Sequence, residues 1–151
     1  MKKALNLGVI GIDHGHIFDM LDEMIKEGCN CNYFWTDGDP LTLQEFNKKY
    51  PNINRKENKE EILNDSSIDM ILISSIPADR AGHSVDALKA GKDVMVDKPG
   101  CTTLDQLNNL KKTVKDTGKI WSVNFSERFH VAAVAKACLL YTSDAADDLV
   151  G

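Results

Sequence analysis

The 151-residue chain is poor in cysteine and lacks a long apolar run, and each of these absences excludes a class of protein. Four cysteines at this length are too few for a disulfide scaffold, so we expect a reduced, cytoplasmic protein. A membrane span needs about 18 consecutive apolar residues, and no segment reaches that length. The sequence therefore predicts a chain that does not enter a membrane.

Positive charge is also in short supply. The 18 basic and 23 acidic residues give a net charge of -5 and a pI near 5.3. Because such a surface repels phosphate backbones, we expect no nucleic-acid partner. The composition, 42% hydrophobic and 27% charged, excludes a disordered tail or fibrous repeat and supplies enough apolar residues for one core.

Strand and helix patterns alternate five or six times along the chain, with short loops rich in Gly, Pro and Asp. Residues 5–12 and 68–75 are apolar runs typical of buried strands. Leucines at helical spacing follow residue 103 and continue to Gly118, and either Thr102 or Thr103 can cap that helix. This alternation predicts an α/β fold, a parallel sheet covered by helices.

In such a sheet, ligands bind at the carboxyl ends of the strands, where the strand order reverses. The segment from Gly11 to His16 follows the first strand and opens the first helix, which is where the pyrophosphate of a dinucleotide rests on backbone N–H groups. The usual pattern there is G-x-G-x-x-G, and only Gly11 matches it. The cofactor-binding candidates in this segment are Gly11, Ile12, Asp13, His14 and His16.

Asp13 and His16 occupy the second and third glycine positions of that pattern. A carboxylate beside a pyrophosphate is repulsive, so Asp13 is expected to cap the helix while His14 or His16 offers a donor to the phosphates. Alternatively, both histidines only line the helix start. Asp13, His14 and His16 crowd three potential ligands into four residues without a partner motif, so we expect no metal site.

Asp37 lies 26 positions after Gly11, about where an acidic side chain binds the adenosine ribose hydroxyls. Such a carboxylate repels a 2′-phosphate, and no Arg or Lys is near Asp37 in the sequence, so NAD is expected rather than NADP. Alternatively Asp37 only forms the turn in Asp-Gly-Asp-Pro, and Asp39 is then the second candidate. Further cofactor-binding candidates, Ser75, Ile76 and Pro77, follow the strand at residues 68–75.

Residues 87–99 read Ala-Leu-Lys-Ala-Gly-Lys-Asp-Val-Met-Val-Asp-Lys-Pro. This run resembles the Ala-Gly-Lys-x-Val…Glu-Lys-Pro signature of the Gfo/Idh/MocA oxidoreductases. Residues 69–73 before Pro77, and residues 124–129, fit the same family in order and spacing. The resemblance extends over essentially residues 5–137.

The resemblance implies a Rossmann-type doubly wound parallel sheet that binds NAD(P), followed by a second α/β domain that supplies most of the substrate site. Members move a hydride between nicotinamide and a hydroxyl-bearing carbon of a sugar, cyclitol or related polyol. The family's lysine corresponds to Lys98, which would be catalytic and contact the cofactor. Asp97 and Arg128 are the remaining cofactor-binding candidates. The resemblance also implies a homo-oligomer formed through the second domain.

Three departures from the family pattern leave an alternative open. Asp97 replaces the usual Glu, Ala81 stands where the family has a histidine, and Asp13 and His16 break the glycine pattern. The alternative is a non-catalytic sensor or interaction module that keeps the fold with a degenerate dinucleotide loop.

The end of the chain differs from the rest. Residues 138–148 are similar to the translation of a common transposase sequencing adapter. We therefore expect a fragment: a Rossmann domain over residues 1–130, the start of a helix over 131–137 and an artefactual tail over 138–151, with the second domain missing and no activity of the fragment alone.

Overall fold

A computed structural model describes residues 4–125 and shows one sheet of parallel strands with helices between them. The strands are β1 (Asn6–Ile10), β2 (Asn30–Trp35), β3 (Asn54–Arg55), β4 (Met70–Ile73), β5 (Asp93–Asp97) and β6 (Trp121–Asn124). The helices are α1 (His16–Lys26), α2 (Leu43–Lys49), α3 (Lys59–Leu63), α4 (Arg80–Lys89) and α5 (Leu104–Thr117).

The six strands lie in the order β3-β2-β1-β4-β5-β6, and every pairing is parallel. The chain moves outward from β1 to β3, then returns to the other side of β1 with β4. The strand order therefore reverses between β1 and β4, and all carboxyl ends lie at one edge. This topology confirms the predicted α/β fold with a Rossmann-type doubly wound sheet.

Apolar side chains that alternate along the strands form a core on each face of the sheet. In β1, Leu7 and Val9 pack against α1 and α2, whereas Ile10 joins the core beneath α3, α4 and α5. The same alternation occurs in β4, where Ile71 and Leu72 belong to different cores. Burial on both faces explains why these strands read as continuous apolar runs.

Local signals set the ends of the longest described helix. The Thr103 hydroxyl accepts a hydrogen bond from the backbone N–H of Gln106 (3.2 Å), so Thr103 rather than Thr102 is the N-cap of α5. At the other end, Gly118 adopts a left-handed conformation with φ of 66°, which favours glycine. The predicted helix and its stop at Gly118 are confirmed.

Several predictions concern residues outside the described part of the chain. Arg128, the domain boundary after residue 130, the helix over 131–137 and the tail over 138–151 all lie there. Within residues 4–125, each helix is too short or too polar to cross a bilayer.

Lys92 is a buried cation at the amino ends of the strands, opposite the edge where a cofactor would bind. Its side chain is 5% exposed, and its Nζ donates to the carbonyl oxygens of Asp65 (2.6 Å) and Ile68 (2.8 Å). The ammonium thereby closes the loop between α3 and β4 onto the start of β5. This lysine of the Ala-Gly-Lys motif therefore has a structural role.

Replacing Lys92 with Met keeps much of the side chain's volume but leaves two carbonyl groups without their donor. We expect Lys92→Met to lower the free energy of unfolding by about 1–3 kcal/mol, measured by urea denaturation. The exposed Lys89→Met is the matched control and should change it by less than about 0.5 kcal/mol. Equal effects of the two substitutions would contradict the structural role of Lys92.

Candidate functional site

A small pocket lies at the carboxyl edge of the sheet, where the strand order reverses. Its volume is about 90 Å³, and it is formed by the ends of β1, β2 and β4 together with the first turn of α4. The lining residues are Gly11, Asp13, Trp35, Asp37, Ser75, Ile76, Asp79 and His83. A pocket of about 320 Å³ beside α4 shares Asp79 and His83 with it. A third pocket, of about 520 Å³, lies around Lys92 at the opposite edge of the sheet, away from the carboxyl ends of the strands.

Gly11 is the point at which the loops after β1 and β4 come closest. Its φ is 75°, and a Cβ built on it would lie 2.5 Å from Ser75 Cβ and 2.7 Å from Ser75 Cα. Any side chain at this position would be strained and would also push the backbone of Ser75 away. The first glycine of the sequence motif is therefore required by the packing of these two loops.

Hydrogen bonds fix the rest of the loop between β1 and α1. The backbone N–H of His14 donates to the Ser74 carbonyl (3.1 Å), and the Ser74 hydroxyl donates to the His14 carbonyl (3.1 Å). The N-cap of α1 is Gly15, which has no side chain, and the His16 N–H that opens the helix meets His14 Nδ1 (3.4 Å). The expectation that Asp13 caps the helix is therefore wrong, because α1 begins three residues after Asp13, whose side chain lines the pocket.

The pocket gathers negative charge. Burial raises the pKa of Asp13, and the nearby carboxylates of Asp37 and Asp79 raise it further. Burial lowers the pKa of His83, the charge of Lys59 acts in the same direction, and the imidazole therefore offers little compensating charge. A ligand that adds phosphate charge beside Asp13 meets repulsion unless that carboxyl is protonated.

Arg55 closes the loop after β2, although the sequence shows no basic residue near Asp37. One guanidinium nitrogen of Arg55 lies 2.9 Å from Asp39 Oδ1, and the other donates to the carbonyls of Thr36 (3.2 Å) and Gly38 (2.5 Å). Asp39 is thus ion-paired, while Asp37 is exposed and has no ion pair within the described residues. The expectation that no cation lies near this loop is wrong, because β3 brings Arg55 to it.

A second group of charges lies where β5 ends. Asp97 is fully buried, and its Oδ2 lies 2.9 Å from Nη2 of Arg80, which is 1% exposed. The other carboxylate oxygen, Oδ1, lies 2.9 Å from His16 Nδ1. His14 Nδ1 lies 3.5 Å from Oδ2. The two imidazole rings form an edge contact with centroids 4.3 Å apart. The loop after β1 and the end of β5 are joined through these side chains.

The same arginine holds the backbone on both sides of the site. Arg80 Nε donates to the Ser75 carbonyl (2.7 Å), and Nη1 donates to the carbonyl of Lys98. Lys98 is half-buried and precedes Pro99 through a cis peptide. Arg80 therefore fixes the backbone from which the Lys98 side chain extends.

The structure brings most of the predicted site residues to one edge but in different roles. Gly11, Asp13, Asp37, Ser75 and Ile76 line the small pocket, and Pro77 is exposed beside it. Lys98, Asp97, His14 and His16 lie at the second charge group. Ile12 has a fully buried side chain, so only its backbone can face a ligand.

Three functional candidates escaped the sequence analysis. Arg80 and Arg55 gave no signal, because nothing in the sequence marks a buried or loop-closing arginine. His83 lies two positions after Ala81, the position of the family's histidine, yet it lines the pocket and contacts the Trp35 ring edge-on at 5.8 Å. Within the described residues, the buried hydroxyls of Thr36 and Ser75 have no hydrogen-bond partner.

Comparison with known proteins gives a consistent result over this region. Residues 6–125 match the model of the oxidoreductase family GFO_IDH_MocA, described as an NAD-binding Rossmann fold. A solved protein of Erwinia carotovora atroseptica SCRI1043, provisionally assigned as an oxidoreductase, is 32% identical, with a TM-score of 0.84 over 91% of this chain and 41% of that one.

Two curated relatives come from Bacillus subtilis (strain 168). The scyllo-inositol 2-dehydrogenase (NADP(+)) IolW is 24% identical over 83% of this chain and 34% of its own. The scyllo-inositol 2-dehydrogenase (NAD(+)) is 32% identical over 50% of this chain and 22% of its own. The chain thus spans about a third or less of the length of these relatives. With its strand order and the family match over residues 6–125, the chain belongs to the Gfo/Idh/MocA oxidoreductases and carries their NAD-binding Rossmann fold.

Proposed function

We propose that this chain is the NAD-binding part of an oxidoreductase that moves a hydride to or from a hydroxyl-bearing carbon of a polyol such as a cyclitol. The observation that carries the proposal is the close approach of Gly11 and Ser75 at the reversal of strand order. Gly11 has no side chain to block the backbone there, so a dinucleotide can lie across the carboxyl ends of β1 and β4.

The unpartnered hydroxyls support the fit of a dinucleotide. Thr36 follows β2 and Ser75 lies two residues after β4, and each has a buried hydroxyl oxygen without a hydrogen-bond partner in the described structure. Leaving a buried hydroxyl without a hydrogen bond costs free energy, and a polyhydroxylated, phosphate-bearing ligand supplies hydrogen-bond partners. Gly11 adds a cradle that a side chain would fill.

The charges after β2 favour NAD over NADP. Asp39 is ion-paired with Arg55, whereas Asp37 lies at the rim of the pocket and has no ion pair within the described residues. A carboxylate there accepts hydrogen bonds from ribose hydroxyls and repels a 2′-phosphate. The relatives include one NAD(+) and one NADP(+) enzyme, so the choice depends on these local residues.

Lys98 is the proposed catalytic residue. Bound NAD would supply the hydride acceptor, and Lys98 would donate a hydrogen bond to the reacting hydroxyl oxygen and stabilise its developing negative charge. Arg80 supports this role by holding the Lys98 carbonyl, the Ser75 carbonyl and the Asp97 carboxylate in one arrangement. The substrate class is proposed from the two inositol dehydrogenases among the relatives.

The first prediction concerns cofactor choice and tests the proposed function. Titrating the chain with NADH and NADPH in a thermal-shift assay, we expect NADH to stabilise it by about 2.7 kcal/mol at 100 times the dissociation constant, and NADPH to act only at higher concentration. Asp37→Ser should tighten NADPH binding by about tenfold, or ~1.4 kcal/mol, because the repulsion of the 2′-phosphate is removed.

Asp39→Ser is the matched control, since it also removes a carboxylate from this loop. It frees Arg55, so it should strengthen NADPH binding without weakening that of NADH. A folded chain that binds neither dinucleotide would contradict the proposal and support the alternative of a non-catalytic module.

The second prediction concerns Asp13 and pH. Its pKa is raised by burial and by neighbouring carboxylates, so protonation of Asp13 begins at higher pH than for an exposed aspartate. Below the raised pKa the carboxyl is neutral and does not repel a pyrophosphate, and above it the affinity falls. We expect NAD⁺ to bind up to about tenfold more weakly as the pH rises through the raised pKa of Asp13.

Asp13→Asn should remove this dependence and bind NAD⁺ at pH 7.5 as tightly as the unchanged protein does at low pH. The exposed Asp19→Asn, on the first turn of α1, should keep the original profile. Isothermal titration calorimetry at each pH measures both. Weaker binding by Asp13→Asn at every pH would show that the carboxylate contacts the cofactor favourably.

The third prediction concerns Lys98 in the full-length protein encoded by the gene. With scyllo-inositol and NAD⁺, Lys98→Ala should lower kcat by about 10²-fold or more, which is the usual contribution of a side chain positioned for general acid–base catalysis. NADH affinity should change by less than about threefold, or ~0.7 kcal/mol. Unchanged turnover of a responsive polyol by Lys98→Ala would remove this lysine from the mechanism.

A further inference from the structure

Two histidines and one carboxylate meet beside the dinucleotide pocket, and dinucleotide binding does not require both imidazoles. The atoms that can bind a metal are Nδ1 of His14, Nδ1 of His16 and the carboxylate of Asp97, and all lie within 4.8 Å of one another. We propose that these three side chains form a binding site for a transition-metal ion of the zinc type. The proposal goes beyond the proposed function and does not depend on it.

Two ligands of a tetrahedral zinc ion, each about 2.0–2.1 Å from the metal, lie about 3.3 Å apart. His16 Nδ1 is 2.9 Å from Asp97 Oδ1, and His14 Nδ1 is 3.5 Å from the other carboxylate oxygen, Oδ2. The three ligand atoms lie within 4.8 Å of one another, so a small rotation of the exposed His14 ring brings them to one ion. The ion takes the place of the hydrogen between His16 Nδ1 and the carboxylate, and His16 binds it as the tautomer with its hydrogen on Nε2.

The backbone holds the three ligands in place before any ion binds. Two hydrogen bonds between Ser74 and His14 fix the loop after β1, and Asp97 is the last residue of a paired central strand. The backbone N–H of His16 donates to His14 Nδ1 at the long distance of 3.4 Å, and this weak hydrogen bond breaks when the lone pair of Nδ1 binds the ion. A site arranged in this way loses little conformational entropy when it binds an ion.

The burial of the ligands gives the ion both an anchor and a path of entry. Asp97 is fully buried, whereas the side chains of His14 and His16 are 49% and 30% exposed. Three protein ligands leave at least one position for water or for an oxygen of a bound molecule. That open position faces solvent at the edge where the loops after β1 and β5 meet.

Arg80 influences which metal ions the site can bind. Its guanidinium contacts Oδ2 of Asp97 at 2.9 Å and compensates the carboxylate charge. A hard cation such as Mg²⁺, which depends on uncompensated oxygen ligands, therefore gains little here. The imidazoles must supply most of the affinity, and they prefer Zn²⁺, Co²⁺, Ni²⁺ or Cu²⁺. Arg80 then acts as a second-shell partner that orients the ligating carboxylate.

The experiment is a metal titration of the full chain after removal of metals with EDTA, without dinucleotide. Calorimetry should show one Zn²⁺ bound per chain and no binding of Mg²⁺. Co²⁺ should give the visible absorption of a four- or five-coordinate ion. His14→Asn and His16→Asn should each weaken Zn²⁺ binding by at least about tenfold, or ~1.4 kcal/mol.

Two control variants separate this site from other metal-binding side chains. His83→Asn removes a histidine outside the cluster, and Cys29→Ser combined with Cys31→Ser removes the thiols nearest each other in the sequence; all three positions should leave Zn²⁺ affinity within about twofold, or ~0.4 kcal/mol. His14 is half-exposed, so His14→Asn is expected to fold, which circular dichroism verifies.

Absence of Zn²⁺ and Co²⁺ binding by the unchanged chain would overturn the metal site, as would binding that only the cysteine variants abolish. Neither result bears on NADH binding, which is measured separately with metal-free protein. Conversely, a chain that binds Zn²⁺ through His14 and His16 but no dinucleotide would support the metal site while contradicting the proposed function.

Discussion

The buried ion pair between Arg80 and Asp97 is the interaction on which the carboxyl edge of the sheet depends. Both side chains are almost completely shielded from water, and their charged atoms lie 2.9 Å apart. Burying two charges is costly, and the attraction between them offsets that cost only when further hydrogen bonds complete the arrangement. Arg80 meets this condition on its side by donating to the carbonyls of Ser75 and Lys98. On the other side, Asp97 Oδ1 is bonded to His16 Nδ1, whereas Asp97 Oδ2 has the guanidinium nearby but no hydrogen bond within the described residues.

This arrangement links elements that the sheet alone would not connect. Arg80 begins α4, Ser75 follows β4, and Asp97 with Lys98 ends β5. Asp97 in turn contacts His16 at the start of α1. A substitution in any one of these loops therefore destabilises the others, because removing one partner leaves a buried charge or carbonyl group without its counterpart.

The sequence predicts best where one physical signal dominates over a whole element. The leucines of α5, the hydroxyl of Thr103 and the terminal Gly118 act together, and that helix forms as expected. The predicted strand over residues 68–75 likewise forms, with its paired part at Met70–Ile73, because apolar residues occupy both faces of β4. β3 could not be predicted, because its two exposed residues, Asn54 and Arg55, carry no hydrophobic pattern.

The sequence predicts at which edge of the sheet the candidate site lies, but not which charged side chains contact each other there. The carboxyl ends of parallel strands gather at one edge, so position alone predicts Gly11, Asp37 and Ser75 there, whereas the role of Lys98 is implied by the resemblance to the family signature. The partners of charged side chains depend on distances between loops, which a linear sequence does not contain. For that reason Arg80 gave no signal before the structure.

The misassigned Asp13 shows how such errors arise. An aspartate shortly before a helix is often its N-cap, but the N-cap of α1 is Gly15. Asp13 instead lies where the charge of Asp37 acts on it.

The distribution of charge gives the edge two unlike halves. On the side of β2, Asp13, Asp37 and Asp79 lie around a pocket whose histidine is kept neutral by burial. On the side of β5, a guanidinium and two imidazoles surround one carboxylate. A dinucleotide lying across the edge places its ribose hydroxyls, which donate hydrogen bonds, at the acidic half.

In the proposed complex the pyrophosphate would lie between the halves, where the usual pattern offers only glycine backbone. The Asp13 carboxylate opposes phosphate binding there. Burial and the neighbouring carboxylates raise its pKa, so the proton that relieves this repulsion binds at higher pH than on an exposed aspartate. On the other side, the guanidinium of Arg80 is already paired with Asp97, so the second half adds hydrogen-bond donors rather than net positive charge. An anion site of this kind depends on backbone N–H groups and on the protonation state of Asp13.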